Sequence, residues 1–240
     1  MIKVIIFLAL VILSYFRHGV KPSTGPRSQA AETAKSAPPL PPPAPPKPTL
    51  EQHFPLRKID SPYFINDLVY NHDNNFLKHP FYHKFGIDAC YVHKDLMPMM
   101  IKLEQELYEK NLRAIVFDCF RPQEVQEYMW SFNPNPKFVM DPKIGSMHSR
   151  GLAIDIGLAD KHGVKIEKAT EVDSFTKSAS HDYKCKPHEI EKCEARQLLK
   201  DIMERSGFRA LRHEWWHYEL PGRGAGYPTI RVCGHIECEK

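Results

Sequence analysis

The stretch Ser146-Met147-His148-Ser149-Arg150-Gly151-Leu152-Ala153-Ile154-Asp155-Ile156-Gly157 constrains this chain more than any other. A histidine and a carboxylate stand seven positions apart, with a glycine between them and apolar residues alternating around the acid. Alternation of that kind predicts a strand, Leu152 to Leu158, in which Ile154 and Ile156 anchor one face in the core and Asp155 projects from the other. A later segment, Glu214-Trp215-Trp216-His217-Tyr218-Glu219-Leu220, supplies a second histidine. His148, Asp155 and His217 form a three-ligand set suited to one Zn²⁺, with a fourth position left open as in catalytic zinc sites. An ion so held lowers the pKa of its water from about 16 to about 7, and Glu214 is the candidate base for that water.

The chain has thirteen histidines, so no one of them is informative alone; the combination is. Ser-x-His-x-x-Gly-x-Ala-x-Asp, followed about sixty residues later by Glu-x-x-His, resembles the zinc peptidases that act on D-alanyl-D-alanine, which share a fold with the hedgehog signalling domain. Glu214-Trp215-Trp216-His217-Tyr218, together with Asp118-Cys119-Phe120-Arg121-Pro122-Gln123, resembles the D-alanyl-D-alanine dipeptidases specifically, over about Ile65 to Leu220. The resemblance implies a zinc metallopeptidase in which Arg121 meets the tetrahedral intermediate, Tyr70 and Asp173 hold the substrate's amino end, and Ser146 contacts its carboxylate. A D,D-carboxypeptidase trimming peptidoglycan stems and a non-catalytic zinc-bearing envelope module are the alternatives. Glu214 and the complete ligand set disfavour the module; Arg121 and the paired tryptophans disfavour the carboxypeptidase.

The base raises a problem of spacing. Glu214 and His217 lie three apart, which suits a helix, whereas Trp, Trp and Tyr favour a strand, where the two would face opposite ways. Glu219 shares strand parity with His217 and is the rival; the family pattern selects Glu214. The tryptophans could wall a pocket, but large aromatics in a strand are usually core, and at least one is expected there.

Around these motifs the chain divides into three parts. Met1-Ile2-Lys3 and the apolar run Val4 to Phe16 read as an export signal or a membrane anchor over 1–20. Residues 21–49 are proline-rich and cannot bury apolar area, which predicts an extended spacer. A single catalytic domain is expected over 50–240. The net charge of +4 belongs to the leader: setting its six Lys/Arg and one Glu aside from 33 and 29 leaves 27 basic against 28 acidic side chains in 49–240. A near-neutral body without a basic run argues against nucleic acid as a partner. The expected partner is the small dipeptide D-Ala-D-Ala, and the expected location is the periplasm or cell envelope.

The remaining pattern predicts an α+β domain with a mainly antiparallel central sheet flanked by helices. Tyr63 to Tyr70, Ala114 to Phe120 and Phe208 to Leu220 read as further strands. One helix should start at an Asp95 N-cap and end near Asn111; another should open with Pro122 as its first residue and bury Val125, Met129 and Phe132. A third, Glu189 to Ser206, should bury Ile190, Cys193, Leu198, Leu199, Ile202 and Met203 and stop at Gly207. Six cysteines, Cys90, Cys119, Cys185, Cys193, Cys233 and Cys238, all follow the export segment and favour disulfides. Sequence leaves their 15 pairings open. Cys185 with Cys193 and Cys233 with Cys238 would close short loops and leave Cys90 for Cys119; Cys185, His188 and Cys193 could instead begin a second zinc site.

Overall fold

The computed structural model describes residues 49–136, 139–222, 224–235 and 238. The export segment and, apart from Thr49, the proline-rich spacer lie outside the described residues. The described elements are α1 (Leu50–His53), β1 (Leu56–Lys58), β2 (Phe64–Asn66), β3 (Tyr91–His93), α2 (Met97–Glu109), β4 (Leu112–Asp118), α3 (Gln123–Phe132), β5 (Ala153–Asp160), α4 (Ile190–Arg205), β6 (Arg209–Ala210) and β7 (His217–Glu219). They make an α+β fold. Five strands pair in the order β2-β4-β5-β7-β6, antiparallel except for the parallel β2–β4 pair, and β1–β3 form a separate antiparallel ribbon.

β4 and β5 are the centre of the sheet because they can be buried nearly throughout: Ala114 to Asp118 and Ala153 to Ala159 are all buried. Helices α2 and α4 pack against each other; α2 also touches β4, and α4 touches β5 and β6. Their apolar stripes, Met100, Leu103 and Leu107 on α2 and Leu199, Ile202 and Met203 on α4, join a single core with Ile154, Ile156 and Leu158.

Several boundaries differ from the sequence pattern, each for a local reason. Asp95 does not cap α2: a 3₁₀ turn, Lys94–Leu96, precedes the helix, the ring of His93 accepts the Asp95 amide at 3.2 Å, and Asp95 accepts from the Tyr227 hydroxyl. Pro122 is extended (φ −49°, ψ 149°) and stands just before α3. Phe132 is 56% exposed, at the far end of α3 beside His79 and Tyr128. On α4, Ile190 and Leu198 are exposed, while Arg196 is buried and donates to the carbonyls of Ser180 and Tyr183. The strand expected over Tyr63 to Tyr70 closes at Asn66 and gives way to a 3₁₀ turn, Val69–Asn71. The strand expected over Phe208 to Leu220 is two strands, β6 and β7, with a turn between them.

The described cysteines form three disulfides, Cys90–Cys119, Cys185–Cys193 and Cys233–Cys238. The second zinc site is thereby excluded, since both of its thiols are spent in one bond. Cys90–Cys119 ties the end of β3's approach to the end of β4, directly behind the motif residues.

Gly151 shows how tightly that region is built. It ends the 3₁₀ turn His148–Arg150 at φ +68°, and a Cβ there would lie 2.9 Å from the His93 amide nitrogen. Backbone cannot yield as a side chain does, so Gly151→Ala is expected to lower stability by about 1–3 kcal/mol, read as a lowered denaturation midpoint. Thiol titration of denatured, unreduced protein should find essentially no free thiol, and reduction should release six.

Candidate active site

Register places the core of the site. Asp118 on β4 pairs with Asp155 on β5, and Asp155 pairs with His217 on β7, so three chemistry-bearing side chains form one row across the sheet. An irregularity between Val116 and Asp118 brings Asp118 into that row. His148 enters from the 3₁₀ turn before β5, held by Gly151 at its end.

His148 Nε2, Asp155 Oδ1 and His217 Nδ1 form a triangle with sides of 3.1, 2.9 and 3.3 Å. All three residues are buried. Ligands about 2.0–2.1 Å from a tetrahedral zinc stand roughly 3.3 Å apart, so this triangle is of the size that zinc requires. Each imidazole is oriented from behind: His148 Nδ1 lies 2.7 Å from the Cys119 carbonyl, and His217 Nε2 lies 3.3 Å from Glu219. Such outer partners set which ring nitrogen faces a metal. Burial by itself would lower the pKa of His217, but the carboxylates of Asp155 and Glu219 raise it to about 10. Burial would likewise raise Asp155, but the two imidazoles hold it well below the usual carboxylate range.

The turn between β6 and β7 resolves the spacing problem. Glu214 accepts nothing from strand pairing; its amide bonds the Leu211 carbonyl and its carbonyl takes the His217 amide, so the chain turns and Glu214 and His217 line the same cavity. Glu219, the rival, is occupied by His217 and Arg209. Burial raises the pKa of Glu214. Trp216 lines the cavity, whereas Trp215 is in the core against Phe117 and bonds Thr170. Both are buried.

The cavity measures about 620 Å³, and its wall includes all eight residues singled out in the sequence: Tyr70, Arg121, Ser146, His148, Asp155, Asp173, Glu214 and His217. Tyr70 donates to Asp173 at 3.0 Å, across 103 positions of sequence. Asp173 holds a left-handed backbone (φ +58°), uncommon for a residue with a side chain and typical of functional sites. Burial, and next the Asp155 charge, push its carboxyl up to about 7. The Ser146 hydroxyl accepts the His148 amide at 3.2 Å.

Asp118 is the functional residue that motif reading passed over. Fully buried, it accepts from Arg121 Nε (3.0 Å) and Nη2 (2.5 Å), from the Tyr82 hydroxyl (2.5 Å) and from the Cys119 amide (2.8 Å). Gln126 takes a third Arg121 donor at 3.0 Å, and the guanidinium lies 5.2 Å from the centre of the Tyr70 ring. Arg121 is therefore aimed at the cavity by three neighbours. Its invisibility in the sequence follows from this: Asp118 acts only through partners that the fold brings to it, and only its place in the motif could have flagged it.

A sequence model of the family described as Peptidase_M15, D-ala-D-ala dipeptidase, matches residues 51–234. The D-alanyl-D-alanine dipeptidase of Escherichia coli is 34% identical over 141 residues, which are 59% of this chain and 72% of that protein. The D-alanyl-D-alanine dipeptidase of Enterococcus faecium is 36% identical over 153 residues, covering 56% of this chain and 74% of that protein. Among solved structures, VanYB in complex with D-Alanine-D-Alanine is 18% identical with a TM-score of 0.38, covering 57% of this chain and 75% of that one.

Two substitutions separate the layers of this site. His148→Ala or His217→Ala should abolish stoichiometric zinc in metal analysis of the purified protein, since two ligands hold zinc far less well than three. Asp118→Asn should retain zinc yet leave Arg121 buried beside a neutral partner, at a cost of about 3–5 kcal/mol in a denaturation experiment. Unchanged stability in that variant would show that Arg121 is balanced from elsewhere.

Proposed function

Because the chain belongs to the D-Ala-D-Ala dipeptidase family, we propose that it is an exported zinc metallopeptidase that hydrolyses free D-alanyl-D-alanine in the cell envelope. The observation that carries the reading is the convergence of the ligand triangle, Glu214, Arg121 and the Tyr70–Asp173 pair on one cavity. His148, Asp155 and His217 would hold zinc, which when bound supplies a Lewis acid for the peptide carbonyl and an acidified water.

The chain's own groups then divide the work. Glu214, a carboxyl whose proton affinity is raised by burial, takes the proton of the attacking water on its carboxylate and returns it to the departing amine. Arg121, fixed by Asp118 and Gln126, presents positive charge where the carbonyl oxygen becomes negative. Asp173, half-buried and hydrogen-bonded to Tyr70, receives the ammonium of the first residue, and Ser146 donates to the carboxylate of the second. Glu219 orients His217 and takes no proton from substrate.

A half-buried carboxylate set to receive an ammonium also excludes. A stem pentapeptide presents an acylated nitrogen there, and leaves Asp173 without its cation. Export is supported by the apolar run Val4 to Phe16 and by six cysteines spent in disulfides, which persist in oxidising compartments. The leader serves in this proposal either as an export signal or as a membrane anchor.

The purified, zinc-loaded protein should cleave D-Ala-D-Ala, while N-acetyl-D-Ala-D-Ala and a stem pentapeptide should be poorer by about a thousandfold or more in kcat/KM. A pentapeptide cleaved as fast as the dipeptide would move the function to D,D-carboxypeptidase. Glu214→Gln should keep its zinc and lose several orders of magnitude in kcat. Near-normal turnover in that variant would return the role to Glu219.

A further inference from the structure

Three arginines line the cavity: Arg121, Arg150 and Arg209. Arg121 is ion-paired with Asp118, and Arg209 with Glu219. Arg150 differs from both. Among the described residues it forms no ion pair with an acidic side chain. Its guanidinium instead donates to three main-chain carbonyls: Nε to Tyr227 (2.9 Å), Nη1 to Ser146 (2.9 Å) and Nη2 to Ile144 (3.1 Å).

This position is built for an arginine. Gly145 and Gly224 flank the side chain so closely that a Cβ on the first would lie 2.7 Å from Arg150 Nη1, and one on the second 2.9 Å from Arg150 Cδ. The turn carrying Arg150 is itself fixed, because the Ile230 amide donates to the Ser149 carbonyl at 2.8 Å. The cation is half-buried and, among the described residues, has peptide carbonyls but no anion about it. Carbonyls leave its charge uncancelled, so an anion in the cavity beside it gains a charge-assisted partner. Ser146 stands in the same wall, and Arg150 holds its carbonyl. The opposite sign is offered by the Asp173 carboxylate, which also lines the cavity and accepts from Tyr70.

We propose that Arg150 is the specificity-determining cation for the substrate's terminal carboxylate, acting beside Ser146 while its fork of three hydrogen bonds holds the Ile144–Ser146 loop in place. With Asp173 it gives the cavity one pole for each end of a zwitterion. The inference rests on the dipeptidase reading above and adds the group that reads the carboxyl end.

The test compares D-Ala-D-Ala with its C-terminal amide, which keeps the ammonium and the scissile bond and lacks only the negative charge. Wild-type protein, Arg150→Gln and Arg150→Lys are assayed for kcat/KM on both, with zinc content measured on each. The wild type should prefer the free acid. Arg150→Gln should keep one zinc per chain and lose on the order of 10- to 100-fold of that preference, the scale of one charge-assisted hydrogen bond, mainly by a higher KM for the free acid. Arg150→Lys cannot span three carbonyls but keeps the charge, and should retain most of the preference. Full preference in Arg150→Gln would overturn the proposal. So would its loss in Arg150→Lys to the same extent, which would make the fork alone the residue's role. If Arg150→Gln fails to fold, Arg150→Met takes its place as the neutral variant, with the same expected loss and the same overturning result. A wild type that cleaves the amide as well as the acid refutes the proposal and leaves the dipeptidase standing; one that cleaves neither refutes the dipeptidase itself.

Discussion

The row Asp118–Asp155–His217 is the constraint on which the rest of this structure depends. Sheet register puts two carboxylates directly opposite each other, and like charges so placed repel. The fold answers with cations and donors on every side. Arg121, Tyr82 and the Cys119 amide take the lone pairs of Asp118, while the imidazoles of His148 and His217 sit against Asp155. Each of these partners is thereby located to within a hydrogen bond, and Arg121, His148 and His217 among them line the cavity. Compensating the row and building the site are the same act.

Rigidity around the row comes from covalent and backbone devices more than from the core. The Cys90–Cys119 disulfide holds the segment whose carbonyl orients His148. The left-handed Gly151 lets the His148 turn close against the His93 amide, which donates to the Gly151 carbonyl at 2.7 Å. The C-terminal segment passes beneath the same turn, where Ile230 bonds both Ser149 and Gln123. A metal site gains affinity and selectivity when its ligands need not be gathered, and these contacts gather them in advance.

The cavity's polarity follows from where compensation stops. Arg121 and Arg209 are each ion-paired, with Asp118 and Glu219, and so are fixed in place. Among the described residues Asp173 bonds a phenol and Arg150 carbonyls, and neither is ion-paired. A ligand that is positive at one end and negative at the other suits such a cavity better than either ion alone.

By itself the sequence determined the chemistry and the outline of the fold. Ligand types, their order and the alternation around Asp155 depend only on residue identity and on the two-residue period of a strand, both of which are local. The central strands and the ligand set His148, Asp155 and His217 were legible for that reason, and α2, α3 and α4 from their apolar stripes at helical spacing; Arg121, Ser146, Tyr70 and Asp173 were reached only through the family resemblance, which also selected Glu214. Tertiary structure alone decided three things. It turned the chain between β6 and β7, so that Glu214 shares a cavity with His217 against the parity of a continuous strand. It set Asp118 opposite Asp155, a matter of register across strands 37 residues apart in the chain. And it left Arg150 without an anion among the described residues while pairing Arg121 and Arg209, because the partners of a charged side chain are chosen by packing in three dimensions, about which a linear pattern is silent.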